Sequence, residues 1–153
     1  NSQVQFLLVG DTDDGNPTSM NSDEIANLAN SKDVTWLGAR TDIAKLLAES
    51  HIACLPSYRE GLPKSLIEAA SVGRPIVATD VPGCREVVTH MVNGLLVQPR
   101  DAQALAAAIE KLVENPKLRK SMGEENRHKA EAEYANEIII GQTHRVYDSF
   151  YNL

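Results

Sequence analysis

Up to Pro99 the chain alternates brief apolar runs with longer stretches whose apolar residues recur at helical spacing. The runs Val4–Val9, Val34–Leu37, Ile52–Leu55, Ile76–Thr79 and Leu95–Val97 are rich in branched residues. Each is followed by Gly, Pro, Asp or Ser, which predicts strands that end in turns. Between them, Asp23–Ala29, Asp42–Glu49, Lys64–Val72 and Arg85–Thr89 predict helices, and Thr41 and Asp101 stand where an N-cap belongs. Beyond Pro99 the strands stop. Ala102–Glu114 sets Leu105, Ala108, Ile109 and Leu112 along one helical stripe, and Pro116–Glu133 and Asn136–Tyr151 predict two more helices. The last of these bears Ile138, Ile139, Ile140, Val146, Tyr147, Phe150 and Tyr151, an apolar surface wider than one stripe.

Strand and helix in regular alternation predict an α/β fold, a Rossmann-like parallel sheet flanked by helices on both faces. No internal repeat or low-complexity linker interrupts the chain, which predicts one domain. In such sheets ligands bind beyond the carboxyl ends of the strands. That rule selects Gly10–Ser19, Gly38–Arg40, Pro56–Lys64 and Asp80–Gly83, all rich in Gly, Pro and polar residues.

Composition narrows the classes. With 153 residues, 42% hydrophobic and 24% charged, the chain has the make-up of a globular domain able to bury a core. Its net charge of -6 argues against a broad basic surface for nucleic acid, so an anionic ligand must be held by local features. Cys54, in the apolar run Ile52-Ala53-Cys54-Leu55, is expected in the core, and no structural disulfide with Cys84 is expected. No apolar run is long enough to span a bilayer. A cytoplasmic location is expected, with attachment to the inner membrane surface through other parts of a longer protein left open.

Several short patterns carry little. Asp11-Thr12-Asp13 has the form of a metal-binding Asp-x-Asp, yet it lies in an acidic, turn-rich loop and is too short to be specific. His51, His90, His128 and His144 lack zinc-ligand spacing. No metal and no cofactor is expected. Lys117, Arg119, Lys120, Arg127 and Lys129 are interleaved with Glu124, Glu125, Glu131 and Glu133, which predicts a solvated helix face.

One segment is richer. In Pro56-Ser57-Tyr58-Arg59-Glu60-Gly61-Leu62-Pro63-Lys64-Ser65-Leu66-Ile67-Glu68, a strand ends, a loop follows and a helix opens with Pro63 at its first position. The free N–H groups of Lys64 and Ser65, with the helix dipole behind them, suit a phosphate. Glu60 precedes that helix end and Glu68 lies one turn inside it. A carboxylate repels phosphate but accepts hydrogen bonds from sugar hydroxyls. Spacing alone favours the plainer explanation, in which the Glu residues meet the helix dipole and Lys64–Glu68 is a surface pair.

The order of motifs changes that balance. Glu60-Gly61-Leu62-Pro63-x-x-x-x-Glu68-Ala69 resembles the two-glutamate motif of the retaining glycosyltransferase family 4, which has the GT-B fold. Gly73-Arg74-Pro75-Ile76-Val77-Ala78-Thr79-Asp80, Gly83, Glu86-Val87-Val88 and Asn93-Gly94-Leu95-Leu96-Val97 follow in the family's order. Leu7-Leu8-Val9-Gly10-Asp11 and Val34-x-x-Leu37-Gly38 are similar to two preceding strands of the same domain. The resemblance covers essentially the whole chain and is nearest to bacterial enzymes that build surface polysaccharides.

This resemblance implies the C-terminal, donor-binding half of a GT-B glycosyltransferase, using a nucleotide-sugar (a UDP-sugar) and a glycan or lipid-linked acceptor. It implies Glu60 as the catalytic-site residue on the donor sugar and Glu68 on the ribose. Gly61, Leu62, Lys64 and Ser65 would supply the loop and helix start that meet sugar and diphosphate. Arg40 would support the base through its main chain. The leaving diphosphate would assist the acceptor, without a metal. Two parts of such enzymes have no counterpart in this sequence: the N-terminal acceptor domain, and the first strand–loop–helix of the donor domain with its diphosphate-clamping Arg and Lys. A piece inactive by itself, prone to self-association, is therefore expected. Two other readings stay open. A nucleotide-sugar epimerase of the same fold would act on donor without acceptor. A non-catalytic nucleotide-binding module would need neither glutamate.

Overall fold

The computed structural model describes residues 4–12, 20–29 and 32–151. Contacts divide the chain into two compact units, Asn1–Ile43 and Ala44–Leu153.

In the first unit, β1 (Phe6–Leu8) pairs in parallel with β2 (Val34–Trp36), Phe6 opposite Val34 and Leu8 opposite Trp36. The expected strand Val4–Val9 is thus shortened at both ends, because the ladder reaches only as far as β2 does. The helix between them, α1 (Ser22–Ala29), opens with a capping box: Asn21 Oδ1 accepts from the Glu24 amide at 2.9 Å, and Glu24 Oε2 from the Asn21 amide at 2.8 Å. Two of the four amides that a helix start leaves unpaired are satisfied in this way. Ile25 of α1 is buried. Among the described residues β1 pairs with β2 alone, and Phe6, Leu7, Leu8 and Val9 are exposed.

The second unit begins within α2 (Ile43–Glu49) and is built on β3 (Ala53–Leu55), β4 (Ile76–Thr79) and β5 (Gly94–Val97), in the order β3-β4-β5 and all parallel. Period-two alternation sends β4 side chains to two cores. Ile76 and Ala78 join Ala53, Leu66, Ala69, Ala70 and Val87 on one face, under α3 (Lys64–Ser71) and α4 (Pro82–Val87). Val77 joins Leu95, Leu112 and Met122 on the other, under α5 (Ala102–Glu114) and α6 (Pro116–Glu133). A central parallel strand is covered on both sides, which is why Ile76, Val77 and Ala78 are fully buried. The expected alternation of strand and helix is present throughout, and both sheets are parallel.

Three expectations need correction. Cys54 is exposed, not in the core. Ala53 and Leu55 face the first core, so the alternation turns Cys54 to the opposite face of β3, an outer strand of its sheet. The helix expected over Arg85–Thr89 runs instead over Pro82–Val87, because Pro82 has the fixed φ suited to a first turn and Val88 already returns to extended backbone. Pro63 is the N-cap of α3 rather than its first helical residue. Along α6, Met122, Gly123, Asn126 and Ala130 are buried on one side, while Lys117, Lys120, Glu124, Glu125, Arg127, Glu131 and Glu133 are exposed, as expected of a solvated face.

Helix boundaries after the sheet follow their caps. Asp101 accepts from the Ala104 amide at 2.8 Å and Asn115 from the Leu118 amide at 2.9 Å, with Pro116 opening α6. Asn126 is fully buried and cross-links the unit: its Nδ2 donates to the carbonyls of Arg74 (2.7 Å) and Asn93 (2.6 Å), and its Oδ1 accepts from Asn93 Nδ2 (2.9 Å). The last helix, α7 (Asn136–Tyr151), has no buried residue. Ile140, Val146, Tyr147, Phe150 and Tyr151 along it are exposed. Among the described residues no helix is long and apolar enough to cross a membrane.

Candidate functional site

The loop between β3 and α3 lies beyond the carboxyl end of the sheet, where the fold rule places ligands. The Thr79 hydroxyl, buried at the end of β4, donates to the Ser57 carbonyl and ties the loop to the central strand. Tyr58 is exposed, with the Arg100 guanidinium 5.3 Å from its ring centroid. Arg100 holds a left-handed backbone, φ 66°, at the end of the β5 segment.

Gly83, the second residue of α4, closes the loop from the other side. A Cβ placed there would collide with the Gly61 carbonyl and stand 2.5 Å from the Glu60 oxygen. The Glu60–Gly61 peptide therefore rests directly on the backbone of α4. Burial pushes the Cys84 thiol above its usual value and the Glu60 carboxylate adds to the shift.

The chain then enters α3 from an extended Pro63, φ -71° and ψ 110°, with no side chain capping the helix. Pro63 is buried and Leu66 is 1% exposed, and these two anchor the first turn against the core. The Pro63 carbonyl accepts from the Leu66 and Ile67 amides, which leaves the Lys64 and Ser65 amides without helical acceptors. Both residues are exposed, as are Gly61 and Leu62. Lys64 Nζ stands 3.4 Å from Glu68 Oε1, one turn on. The side chain of Lys64 is 88% exposed and that of Glu68 34%, so this contact leaves Glu68 reachable and is weak in itself. The outcome is a bare helix N-terminus, attractive to a phosphate, with one carboxylate before it and one beside it.

The structure thus gathers Glu60, Gly61, Leu62, Lys64, Ser65 and Glu68 on one loop and helix start. Arg40 belongs to the first unit, where its guanidinium makes a two-pronged ion pair with Asp42, both contacts at 2.8 Å. Gly38 before it has φ 63° and accepts at its carbonyl from the Gly10 amide, and Trp36 Nε1 donates to the Gly10 carbonyl. Asp11 accepts from the Thr12 amide next to it, while Asp13 lies outside the described residues. Sequence reasoning missed the parts played by Thr79 and Gly83. A Thr closing a buried strand and a Gly behind Pro82 were visible, but nothing in the sequence says that either touches the loop.

The family model described as glycosyl transferases group 1 matches residues 1–129. The N,N'-diacetylbacillosaminyl-diphospho-undecaprenol alpha-1,3-N-acetylgalactosaminyltransferase of Campylobacter jejuni is 36% identical over 146 residues, 95% of this chain and 37% of that protein. Among solved structures, Anabaena HepE in complex with UDP superposes with a TM-score of 0.84 at 25% identity, over 100% of this chain and 42% of that one. The sucrose-phosphate synthase of Thermosynechococcus elongatus gives 0.87 at 29% identity, over 97% and 39%. The chain spans about two fifths of the length of these relatives.

Proposed function

The chain belongs to the glycosyl transferases group 1 family, and we propose that it holds the nucleotide-sugar donor of a retaining enzyme, with UDP as the nucleotide and a glycan or lipid-linked acceptor. The observation that carries this reading is the uncapped start of α3 between Glu60 and Glu68. Its amides suit the diphosphate, Glu68 suits the two ribose hydroxyls, and Glu60 suits the donor sugar. UDP in the Anabaena relative and a lipid-linked diphosphate in the name of the Campylobacter one support the choice of ligand classes.

In this reading the bond from the anomeric carbon to the diphosphate oxygen breaks, and its electron pair leaves with the diphosphate. The acceptor oxygen bonds to the same face of the sugar, and its proton passes to a diphosphate oxygen. Glu60 orients the sugar for that exchange, and the amides of Lys64 and Ser65 oppose the charge that grows on the leaving group. The acceptor is bound by a separate domain of the longer protein in which this segment works.

Calorimetry of this chain with UDP, GDP and the free sugar tests the proposal. UDP should bind, GDP more weakly, and the sugar alone not measurably. Failure of UDP to bind at millimolar concentration, or equal binding of the Glu68→Ala variant, would overturn it.

A further inference from the structure

A cavity of about 400 Å³ opens among the residues that lead into the strands of the second unit, not among those that leave them. His51 precedes β3, Arg74 and Pro75 precede β4, and Arg119, Lys120 and Arg127 come from α6. With strands rising about 3.3 Å per residue, the length of β4 separates this cavity from the donor loop by roughly 10 Å. The lining residues of α6 are Pro116, Arg119, Lys120, Gly123, Glu124 and Arg127, spaced three and four apart, hence a single face of the helix.

That face is held tightly against the turn that carries Arg74. Gly73 turns with φ 67°, and a Cβ on Gly123 would collide with its carbonyl, so the two backbones touch. Asn126 Nδ2 fixes the Arg74 carbonyl at 2.7 Å. The Arg119 guanidinium is steadied through Nη1 by the Leu112 (2.6 Å) and Val113 (2.7 Å) carbonyls at the end of α5. Arg127 is held through Nε by Glu131 at 2.6 Å and through Nη1 by the Ser71 carbonyl.

Charge in the cavity is unbalanced. Of the four cations, Lys120 stands 3.8 Å from Glu124 and Arg127 is paired with Glu131 at 2.6 Å, which leaves Arg74 and Arg119 without a carboxylate partner among the described residues. This positive excess sits in a chain of net charge -6. Arg74 has no ion-pair partner among the described residues, and its buried Nε has no hydrogen-bond partner there. Buried N–H groups are ordinarily paired. Among the described residues, Nη2 of Arg119 and of Arg127 also makes no hydrogen bond, so N–H donors remain for an anion.

We propose that this cleft, at the end of the sheet remote from the donor loop, is a second anion site that takes a phosphoryl group of at least two negative charges, such as a phosphate monoester or a diphosphate. Several fixed cations favour a dianion over a single carboxylate, and the volume admits a phosphate with a small organic remainder. The phosphoryl group has two possible sources, a soluble phosphate or a lipid headgroup, and the test separates them.

The isotope-labelled chain is titrated with inorganic pyrophosphate while backbone amide resonances are followed, the Lys64 and Ser65 amides reporting separately on any binding at the donor loop. The Gly73, Lys120 and Gly123 amides should shift in a saturable, salt-sensitive manner. Arg74→Gln and the surface variant Lys120→Gln should each weaken the affinity, by about tenfold for Arg74→Gln. In a second arm, vesicles of phosphatidylcholine with and without phosphatidylglycerol replace pyrophosphate. Selective broadening of the same amides by the anionic vesicles alone would identify a lipid source and support the site. No shift in either arm, or shifts unchanged in both variants, would overturn it. The readout does not depend on UDP binding, so this result and that of the donor loop are separable.

Discussion

Gly83 lies against the carbonyl of Gly61 with no room for one more carbon between them. Because α4 is pinned by the buried Cys84 and Val87, the loop bearing Glu60 would have to yield to any side chain at position 83. Gly83→Ala should therefore cost about 1–3 kcal/mol of stability through overpacking and lower UDP affinity by roughly tenfold or more. Thermal unfolding and calorimetry measure the two effects. Gly61→Ala is the control for stability, since nothing lies within 4 Å of a Cβ there. Equal behaviour of the two variants would show that the Gly83 contact does not hold the loop.

Glu68→Ala should weaken UDP binding by about 10- to 100-fold, the range expected for losing hydrogen bonds to a charged acceptor. Its pairing with Lys64 is exposed and contributes little, so the melting temperature should scarcely move. Calorimetry and a thermal melt on the same sample check both halves. A large drop in stability with unchanged UDP affinity would assign Glu68 to the fold alone.

Glu60→Ala should leave UDP affinity nearly intact while removing the advantage of the matching UDP-sugar over UDP. The carboxylate is proposed to meet the sugar, which UDP lacks. In the longer protein the same change should lower kcat, since orientation of the sugar is lost. Parallel titrations with UDP and the UDP-sugar decide the matter, and an unchanged affinity ratio would make Glu60 a plain helix-start carboxylate.

Asn126→Ala should destabilise the second unit by about 3 kcal/mol, because it removes the acceptor of one Asn93 Nδ2 hydrogen, the other remaining on the Val87 carbonyl, and the donor to two backbone carbonyls. In a chain of this size that corresponds to roughly 6–12 °C in Tm. Lys117→Ala, exposed on the same helix, should change Tm little. Calorimetric melts of the two variants supply the comparison, and near-equal melting would refute the network's contribution.

Among the described residues β1 pairs with β2 on one side only, and Phe6, Leu7, Leu8 and Val9 are 44%, 42%, 37% and 38% exposed. Short apolar strands with a free edge tend to recruit another strand. The isolated 153-residue chain should consequently self-associate as its concentration rises, and Leu7→Lys should reduce this. Light scattering across a dilution series tests it. A monodisperse species of 16.7 kDa at every concentration would contradict the expectation.

The sequence by itself determined the order and type of the elements, because a two-residue period and a helical period are properties of neighbouring residues along the chain. It also marked the loop from Glu60 to Glu68, where the residue types that suit sugar and phosphate fall within one turn of a helix start. It could not determine how far β1 extends, because the length of a ladder is set by the partner strand, β2. Nor could it turn Cys54 outward, since an apolar run of four looks the same whether one face or both are covered. The basic residues of α6 read as a solvated face, and only packing brought Arg74, 45 to 53 residues earlier, beside Arg119, Lys120 and Arg127. Gly83 against Gly61 and Thr79 against Ser57 were likewise invisible, each joining positions 22 apart. Such contacts arise when strands align in the sheet, and local spacing carries no record of them.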